Sequence, residues 1–426
     1  MKILHLSTFD SAGGAARGAY RIHQSLKEIG VNSQMLVRGK TSSDPKVLTA
    51  PGVLRKLTNR VRADLNRLPL KLYPKTSPSS FSVQWFPDGV ASQVERLNPE
   101  LIHLHWLNGG HLQLDTIARL QQPLVWTLHD MWPFTGGCHY SAGCDRYTKT
   151  CGNCPVLESD QTNDLSHWLW QRKVKLWQNL NLTLVASSSW MAKCASASSL
   201  FGDKRIEVIP LGLDLTVYKP LEQQVAREAF NLPKDKKLIL FGAIDATKDR
   251  RKGFHLLQPA LQKLSLSLDR NSVELVVFGS SQPEKPLDLG FKTHYLGRLS
   301  DDPTLALAYS AADVMVVPST EEAFGQTASE ALACGTPVVG FADTGVMDIV
   351  DRQENGYLAQ PYEVDDLAYG ISWVLDRAPN LRVDARNKAV ARFSLQQQAA
   401  SYQSLYQSLI DEQPVKVSSS LIGVNS

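Results

Sequence analysis

The sequence has little net charge, no long hydrophobic run and few cysteines for its length. Its 45 Lys and Arg residues nearly balance 42 Asp and Glu, which leaves a formal net charge of +3. This balance gives no support to general nucleic-acid binding, which needs excess positive charge. No apolar run approaches the roughly 18 residues that a membrane-spanning helix needs. The first segment, MKILHLSTFD, lacks the apolar length of a signal peptide, so we expect a cytoplasmic protein.

The length of 426 residues exceeds what one hydrophobic core usually serves, so we expect two domains. Strand-like and helix-like segments alternate almost throughout, which is typical of parallel sheets with crossover helices. The predicted strands are residues 2–8, 33–38, 101–106, 124–129, 182–187 and 206–210, then 237–243, 273–279, 293–297, 313–319 and 336–341. Two such series predict an α/β protein of two doubly wound domains, with ligands at the carboxyl ends of the strands.

The domain boundary is expected near residues 208–224, where Pro and Gly interrupt the regular pattern. The division is 1–210 for an N-terminal domain, 211–393 for a C-terminal domain, and 394–426 for a closing helix and tail. The closing helix, about Ser394 to Ile410, has residues with bulky or apolar side chains at helical spacing. They are Ala399, Tyr402, Leu405, Tyr406 and Leu409. This face is expected to pack back against the first domain.

Two carboxylates frame a predicted helix start in the stretch EEAFGQTASE. A strand precedes it, and the helix is expected to begin near Phe324 or Gly325, where free N–H groups and the helix dipole favour a diphosphate. Gly325 lets the backbone approach a ligand closely. Glu322 is placed to accept hydrogen bonds from a sugar and Glu330 from a ribose diol. The dipole alone also favours acidic residues in a first turn, so a purely structural role fits equally well.

The E-x7-E pattern, followed by EALACGTPVVG, resembles the donor-site signature of retaining glycosyltransferases of family 4, which have the GT-B fold. Four other segments resemble that family too. STFDSAGGAARGAYRIHQSL resembles its Gly-Gly loop, and VIPLGLD resembles its interdomain segment. RKGFHLL resembles the start of a helix in its second domain, and FSLQQQAASYQSLY resembles its closing helix. TLHDMWPFTGGCHYSAGC…CGNCP most resembles exopolysaccharide transferases of the colanic-acid type. The resemblance covers most of the chain. It implies two Rossmann-like domains facing across a cleft, an acceptor domain and then a nucleotide-sugar donor domain.

The resemblance also implies a role for each matching residue. Glu322 would contact the donor sugar, Lys252 would neutralise the diphosphate leaving group, and His129 would touch the transferred sugar. The other residues implied to bind the donor are Gly13, Gly14, Arg251, Phe324, Gly325, Gln326 and Glu330. A helix-start lysine, a tight Gly-Gly turn and a strand-end histidine also have ordinary structural explanations.

One position departs from the family pattern. Many relatives carry Gly-Arg where this chain has FGAIDATKDRRKG, so Ala243 stands in place of the Arg expected to pair with Lys252. The candidates to replace that Arg are Arg251, Arg250, Lys248 and Arg17. The implied mechanism needs no metal, because Lys252 and helix-end N–H groups would stabilise the departing diphosphate. We predict that Glu330→Ala abolishes nucleotide binding and leaves the fold intact.

The implied activity is transfer of a hexose-type sugar from a UDP- or GDP-sugar to a saccharide or lipid-linked saccharide, in exopolysaccharide or other cell-surface polysaccharide synthesis. Two alternatives share the fold. One is a nucleotide-sugar epimerase, for which no acid–base residues are identifiable. The other is a catalytically silent nucleotide-sugar-binding scaffold, which the missing Arg at Ala243 leaves open and the presence of Glu322, Glu330 and Lys252 argues against. The sequence does not support a zinc-ribbon nucleic-acid binder, because the net charge is low and because basic and aromatic residues are not interleaved around the cysteines.

Four of the six cysteines cluster within seventeen residues of a predicted insertion, residues 131–160. They are Cys138, Cys144, Cys151 and Cys154. Four such thiols can close a tetrahedral zinc site of structural type, and a cytoplasmic location disfavours disulfides. Their spacing is not that of a standard finger, so unliganded thiols or a disulfide fit nearly as well, and His139 is an alternative ligand. Because the insertion follows His129, we expect it on the acceptor side. Cys194 and Cys334 are expected in the core.

A basic segment, residues 53–75, holds seven Lys or Arg against one Asp. Its apolar residues at helical spacing are Leu54, Leu57, Val61, Leu65 and Leu68. The pattern indicates a basic amphipathic helix that could contact anionic lipids. The competing interpretation is the solvated face of a helix that packs on its own domain.

Overall fold

The computed structural model describes residues 1–49, 61–76, 80–242, 249–283 and 287–412. In this part of the chain the strands are β1 Lys2–Phe9, β2 Asn32–Gly39, β3 Val47–Thr49, β4 Leu101–Leu104, β5 Leu124–Leu128, β6 Leu182–Ala186, β7 Arg205–Val208, β8 Lys237–Gly242, β9 Val273–Phe278, β10 Thr293–Gly297, β11 Val314–Val317, β12 Val338–Phe341 and β13 Gly356–Ala359. They form two sheets, in the orders β3-β2-β1-β4-β5-β6-β7 and β10-β9-β8-β11-β12-β13, in which neighbouring strands are parallel. The predicted α/β class with two doubly wound sheets is confirmed.

The helices follow the strands as crossover connections. They are α1 Gly14–Glu28, α2 at residues 61–67, α3 Ala91–Leu97, α4 Leu114–Arg119, α5 Leu165–Trp177, α6 Ser189–Ala197, α7 Gln223–Ala229, α8 Phe254–Ser267, α9 Asp302–Ala311, α10 Gln326–Ala333, α11 Val364–Arg392 and α12 Leu395–Asp411. Within the described ranges, no helix is both long enough and apolar enough to cross a bilayer.

The strands were readable in the sequence because nearly half of the described ones are buried along their whole length. Burial at every position is expected when helices cover both faces of a parallel sheet. It is found in β4, β5, β6, β9, β11 and β12. Two short strands, β3 and β13, were not predicted. They pair at the outer edges of the two sheets and are only three and four residues long, which leaves too little pattern to detect.

The closing helix α12 returns to the first sheet, as predicted. Its apolar face is buried, and it packs against α1. Two of its hydroxyl groups reach buried residues of that sheet: Tyr402 Oη lies 2.8 Å from Thr127 Oγ1, and Tyr406 Oη lies 2.6 Å from His103 Nδ1. The chain therefore crosses between the sheets twice, once after β7 and once before α12.

The described part of the basic segment 53–75 begins with the helix α2. Val61 is 55% exposed, Leu68 is 41% exposed and Leu65 is half-buried, whereas Leu70 is buried in the core of the first domain. Polar contacts also hold the segment, because Asn66 Oδ1 accepts from two backbone N–H groups and the Arg62 guanidinium donates to a backbone carbonyl. Leu54 and Leu57 lie outside the described residues.

Candidate active site

The stretch EEAFGQTASE leaves the carboxyl end of β11 and enters α10. The helix begins at Gln326, and Gly325 caps it with a φ of +100°, a conformation that favours glycine. The ring of Phe324 is buried and packs edge-on against Phe393, so this residue offers a ligand only its backbone. The helix start predicted from the sequence is therefore confirmed.

Glu322 lies in a cluster of opposite charges before this helix. Its Oε2 is 2.7 Å from Lys252 Nζ, 3.2 Å from Ser319 Oγ and 3.9 Å from Arg251 Nη1. Burial would raise the pKa of Glu322, but the charges of Lys252 and Arg251 outweigh burial and hold it below its usual value. Glu322 is therefore a carboxylate, with two cations beside it that an arriving diphosphate could use.

Lys252 is positioned by the glycine that follows it. Gly253 has a φ of +74°, and a Cβ there would lie 1.7 Å from the carbonyl oxygen of Pro318 at the end of β11. Only glycine allows this approach of the two backbones. The motif KG thus serves to bring the lysine against Glu322.

Among the described candidates to replace the missing arginine, Arg251 lies beside Glu322. Its guanidinium lies 4.2 Å from the centre of the Tyr140 ring and donates to the Glu321 carbonyl oxygen at 3.1 Å. Arg17 forms an ion pair with Asp302 instead. Arg250 is exposed to solvent, and Ala243 and Lys248 lie outside the described residues.

Glu330, on α10, is buried and paired with the first domain. Its Oε1 accepts from Arg21 Nη2 at 3.1 Å, and its Oε2 accepts from Tyr309 Oη at 3.0 Å. Arg21 also contacts Asp302 Oδ2 and Tyr218 Oη, both at 3.2 Å. A buried carboxylate with these partners is held in one orientation, and its remaining lone pairs can still accept hydroxyl groups.

The Gly-Gly loop brings the first domain to the same place. Gly13 has a φ of +92°, and the backbone carbonyl of Gly14 accepts from Gln326 Nε2 at 2.9 Å. One turn further along α1, a Cβ on Gly18 would lie 3.4 Å from His129 Cε1. The first turns of α1 therefore lie between His129 and the start of α10.

His129 ends a row of buried histidines that was not predicted. His105 Nδ1 lies 3.1 Å from His129 Nε2, and His105 Nε2 lies 2.9 Å from His5 Nδ1. Burial lowers the pKa of His129 to about 4, although the nearby Asp130 opposes this, and it lowers the pKa of His5 and His105 well below the usual value. The imidazoles are thus neutral at pH 7, and His105, between the other two, can donate one hydrogen bond and accept another.

The ring nitrogens of His5, His103 and His105 lie within 4.8 Å of one another, a spacing that a metal ion could also use. Both nitrogens of His103 are already in hydrogen bonds, with Tyr406 Oη at 2.6 Å and with Thr127 Oγ1 at 2.7 Å. The trio is therefore part of a buried polar cluster at the first sheet, and His105 joins it to His129.

The insertion at residues 131–160 reaches Glu321, the residue next to Glu322. The carboxylate of Glu321 accepts from the backbone N–H groups of Ser141 and Ala142, each at 3.1 Å. His139 is not a metal ligand, because its Nδ1 lies 2.6 Å from Asp130 Oδ2 and its Nε2 lies 2.9 Å from Ser82 Oγ. The four clustered cysteines line one small cavity beneath this loop.

Several residues of the site escaped the sequence analysis. They are Arg21, Tyr140, Tyr309, Glu321 and the histidines of β1 and β4. Weak signals were present: Arg17 and Arg21 share a face of α1, and two alternating histidines in LIHLHW share a face of one strand.

Comparisons with known proteins cover nearly the whole chain. The profile of "Glycosyltransferase Family 4" matches residues 12–217, and that of "Glycosyl transferases group 1" matches residues 222–392. A D-inositol 3-phosphate glycosyltransferase of Mycolicibacterium smegmatis is 28% identical over 90% of this chain and 83% of its own. The putative colanic acid biosynthesis glycosyl transferase WcaC of Escherichia coli is 25% identical over 96% of this chain and 100% of its own.

Solved structures match the fold at lower identity. Sucrose-phosphate synthase from Thermosynechococcus elongatus superposes with a TM-score of 0.68 at 22% identity, over 97% of this chain and 100% of that one. HepE from Anabaena, solved with UDP and glucose, superposes with a TM-score of 0.64 at 18% identity, over 96% and 100%.

Proposed function

Since the chain belongs to glycosyltransferase family 4 and has the GT-B fold, we propose that it transfers a sugar from a nucleotide diphosphate donor to a saccharide, with retention of anomeric configuration. One observation carries the proposal. The E-x7-E carboxylates, the Lys252–Arg251 pair and the Gly13–Gly14 loop meet around the start of α10. A helix start with adjacent cations is suited to a diphosphate.

The site residues have distinct roles in this reaction. Lys252 and Arg251 stabilise the charge that develops on the departing diphosphate as the bond to the anomeric carbon breaks. Glu322 accepts hydroxyl groups of the sugar, and Glu330 accepts the ribose diol. The acceptor hydroxyl attacks from the face that the nucleotide leaves, and its proton passes to the departing phosphate oxygen. None of these roles requires a metal ion.

The neighbours make a nucleotide sugar the first donor to test. HepE has been solved with UDP and with UDP-glucose, and a starch synthase of the same fold has been solved with ADP and acarbose. The likeness to WcaC favours an acceptor in the synthesis of an exopolysaccharide or another cell-surface polysaccharide. His129 is placed to contact the transferred sugar from the first domain.

The test is a panel of UDP-, GDP- and ADP-sugars, measured for binding by calorimetry and for slow donor hydrolysis. We expect one nucleotide class to bind and to be hydrolysed, and Glu330→Gln to weaken that binding strongly while the circular dichroism spectrum is kept. Retention is read from the anomeric proton signal of a transfer product. Binding without hydrolysis or transfer would favour the silent scaffold, and unchanged affinity in the Gln variant would remove Glu330 from the site.

The basic segment supports a lipid-linked acceptor at a membrane surface. Leu68 is 41% exposed and Leu72 is 81% exposed, and Lys71 lies between them. Each basic residue near an anionic membrane contributes about 1 kcal/mol. Co-sedimentation with anionic vesicles should fall when Arg67 and Lys71 are changed to Gln, and equal binding of the two proteins would exclude this contact.

A further inference from the structure

We propose that Cys138, Cys144, Cys151 and Cys154 bind one zinc ion, in a site of structural type beneath the loop that contacts Glu321. All four residues line one cavity of about 20 Å³. A volume of about 10–15 Å³ accommodates one water-sized particle, so the cavity has room for one ion and for nothing larger. All four are free thiols.

A backbone N–H group beside the cavity points at one of the cysteine sulfurs. The N–H of Gly136 donates to Cys151 Sγ at 3.2 Å. Such a donor favours the thiolate, which is the form that binds a metal. The N–H of Leu157 donates to the backbone carbonyl oxygen of Cys154 at 3.2 Å, which fixes the turn after this cysteine.

The approach of Gly136 to the Cys151 sulfur requires the absence of a side chain. A Cβ on Gly136 would lie 2.3 Å from a backbone carbonyl oxygen of α5 and 2.8 Å from the Cβ of Cys151. The glycine therefore lets the loop close over the cysteine.

A buried lysine lies near the cysteines, and a negative partner would favour its charged form. Lys173 is fully buried, and its ammonium donates to the carbonyl oxygens of Trp132 and Thr135. Among the described residues, no carboxylate lies within 4.0 Å of it. Burial of a charge is costly unless an opposite charge compensates it. A zinc ion with four thiolates has a net charge of −2, and the charge of Lys173 acts on Cys138 and Cys151.

Zinc binding requires the sulfurs to move together. No three of the four sulfurs lie within 4.8 Å of one another in the described structure. With zinc–sulfur bonds of about 2.3 Å, the sulfurs of a tetrahedral site lie about 3.8 Å apart. A change of cysteine rotamer moves a sulfur by roughly 3 Å, so we propose that rotamer changes bring the sulfurs together. Four thiols that bind one Zn²⁺ release four protons, and no oxidant or reductant is needed.

The metal would act on the active site through the loop, because four sulfur ligands leave no position for a substrate. The loop carries Tyr140, which stacks on Arg251, and the two N–H groups that hold the Glu321 carboxylate. A fixed loop thus keeps Arg251 oriented beside Glu322. This consequence rests on the proposed function, whereas the metal site itself does not.

The experiment is metal analysis of the full chain purified under reducing conditions, by native mass spectrometry and elemental analysis. We expect about one zinc per chain. Cys138→Ser and Cys151→Ser should each lower the zinc content at least fivefold. Cys194→Ser is the matched control, since Cys194 lies outside the cavity, and it should keep its zinc. Replacement by Co²⁺ should produce the absorption bands of tetrahedral thiolate coordination in wild type and not in Cys151→Ser.

The wild-type measurement is decisive even if a variant fails to fold. Folded wild type that contains no zinc and takes up none would overturn the proposal, as would two disulfides in the unreduced mass spectrum. Equal zinc in Cys138→Ser, Cys151→Ser and Cys194→Ser would place the metal elsewhere. Zinc bound as predicted, in a protein that binds no nucleotide sugar, would refute the proposed function and keep the metal site.

Discussion

Replacing Lys252 by Met tests the centre of the proposed mechanism. The substitution removes the ammonium and keeps a side chain of similar length. In the structure, Lys252 Nζ lies 2.7 Å from Glu322 Oε2, and the two side chains are 19% and 13% exposed. The charge is therefore largely withdrawn from water, where its effect on a nearby phosphate is strongest.

The expected loss follows from this partial burial. Two unit charges about 4 Å apart at an effective dielectric constant of about 20 interact by about 4 kcal/mol. Removal of one such stabilising group from an active site typically costs about 2.7–4 kcal/mol, which is a factor of 10² to 10³ in rate. Because the charge on the leaving diphosphate grows in the transition state, kcat should fall more than nucleotide affinity does.

The assay is steady-state transfer, or donor hydrolysis, with the donor that the nucleotide-sugar panel selects, together with calorimetry of the free nucleotide. Arg250→Met is the matched control, because it removes a positive charge from the same turn at an exposed position. We expect the control to stay within about threefold of wild type, since exposed charges are screened. A Lys252→Met enzyme that keeps more than a tenth of kcat/KM would refute the reasoning, and so would an equal loss in Arg250→Met.

The same ion pair predicts an acid dependence of stability. Burial raises the pKa of Glu322, but the charges of Lys252 and Arg251 outweigh burial and hold this pKa below 4.5. The stabilisation is therefore complete above pH 4.5 and is lost as the pH falls through the folded-state pKa. The difference in unfolding free energy between wild type and Lys252→Met, from urea titrations at pH 7 and pH 4, should shrink at the lower pH. A difference that grows on acidification would contradict the assignment.

Two further predictions concern positions with a natural control. Arg21→Met removes the partner of the buried Glu330 and should lower the unfolding free energy by about 3 kcal/mol. Arg17 is on the same helix but is 27% exposed, so Arg17→Met should lower it by less than about 1 kcal/mol. Equal losses in urea titrations of the two variants would contradict this prediction. Gly253→Ala should prevent stable folding or abolish activity, because its Cβ meets a backbone carbonyl. Gly143 has a similar positive φ, but a Cβ there would meet only open space. Gly143→Ala should therefore lower the unfolding free energy by only about 1–2 kcal/mol, as measured by thermal melting.

Much of the fold was determined by the sequence through local patterns. Parallel strands covered on both faces appear as continuous apolar runs, so the principal strands and their division into two series could be predicted. The helix start at Gly325 and the buried face of α12 were predicted for the same reason. Capping, periodicity and the conformational freedom of glycine depend on neighbours within a few residues, and these are present in the sequence itself.

Only the tertiary structure decided which charges meet. Arg21 and Glu330 are 309 positions apart, and no local pattern connects them. The same is true of Glu321 with the insertion loop and of the row of histidines from β1 to His129. Loop residues such as Arg251 acquire a partner only when two sheets and an insertion come together at one edge. Periodicity determines which face of an element is buried, and long-range packing determines which side chain it faces there.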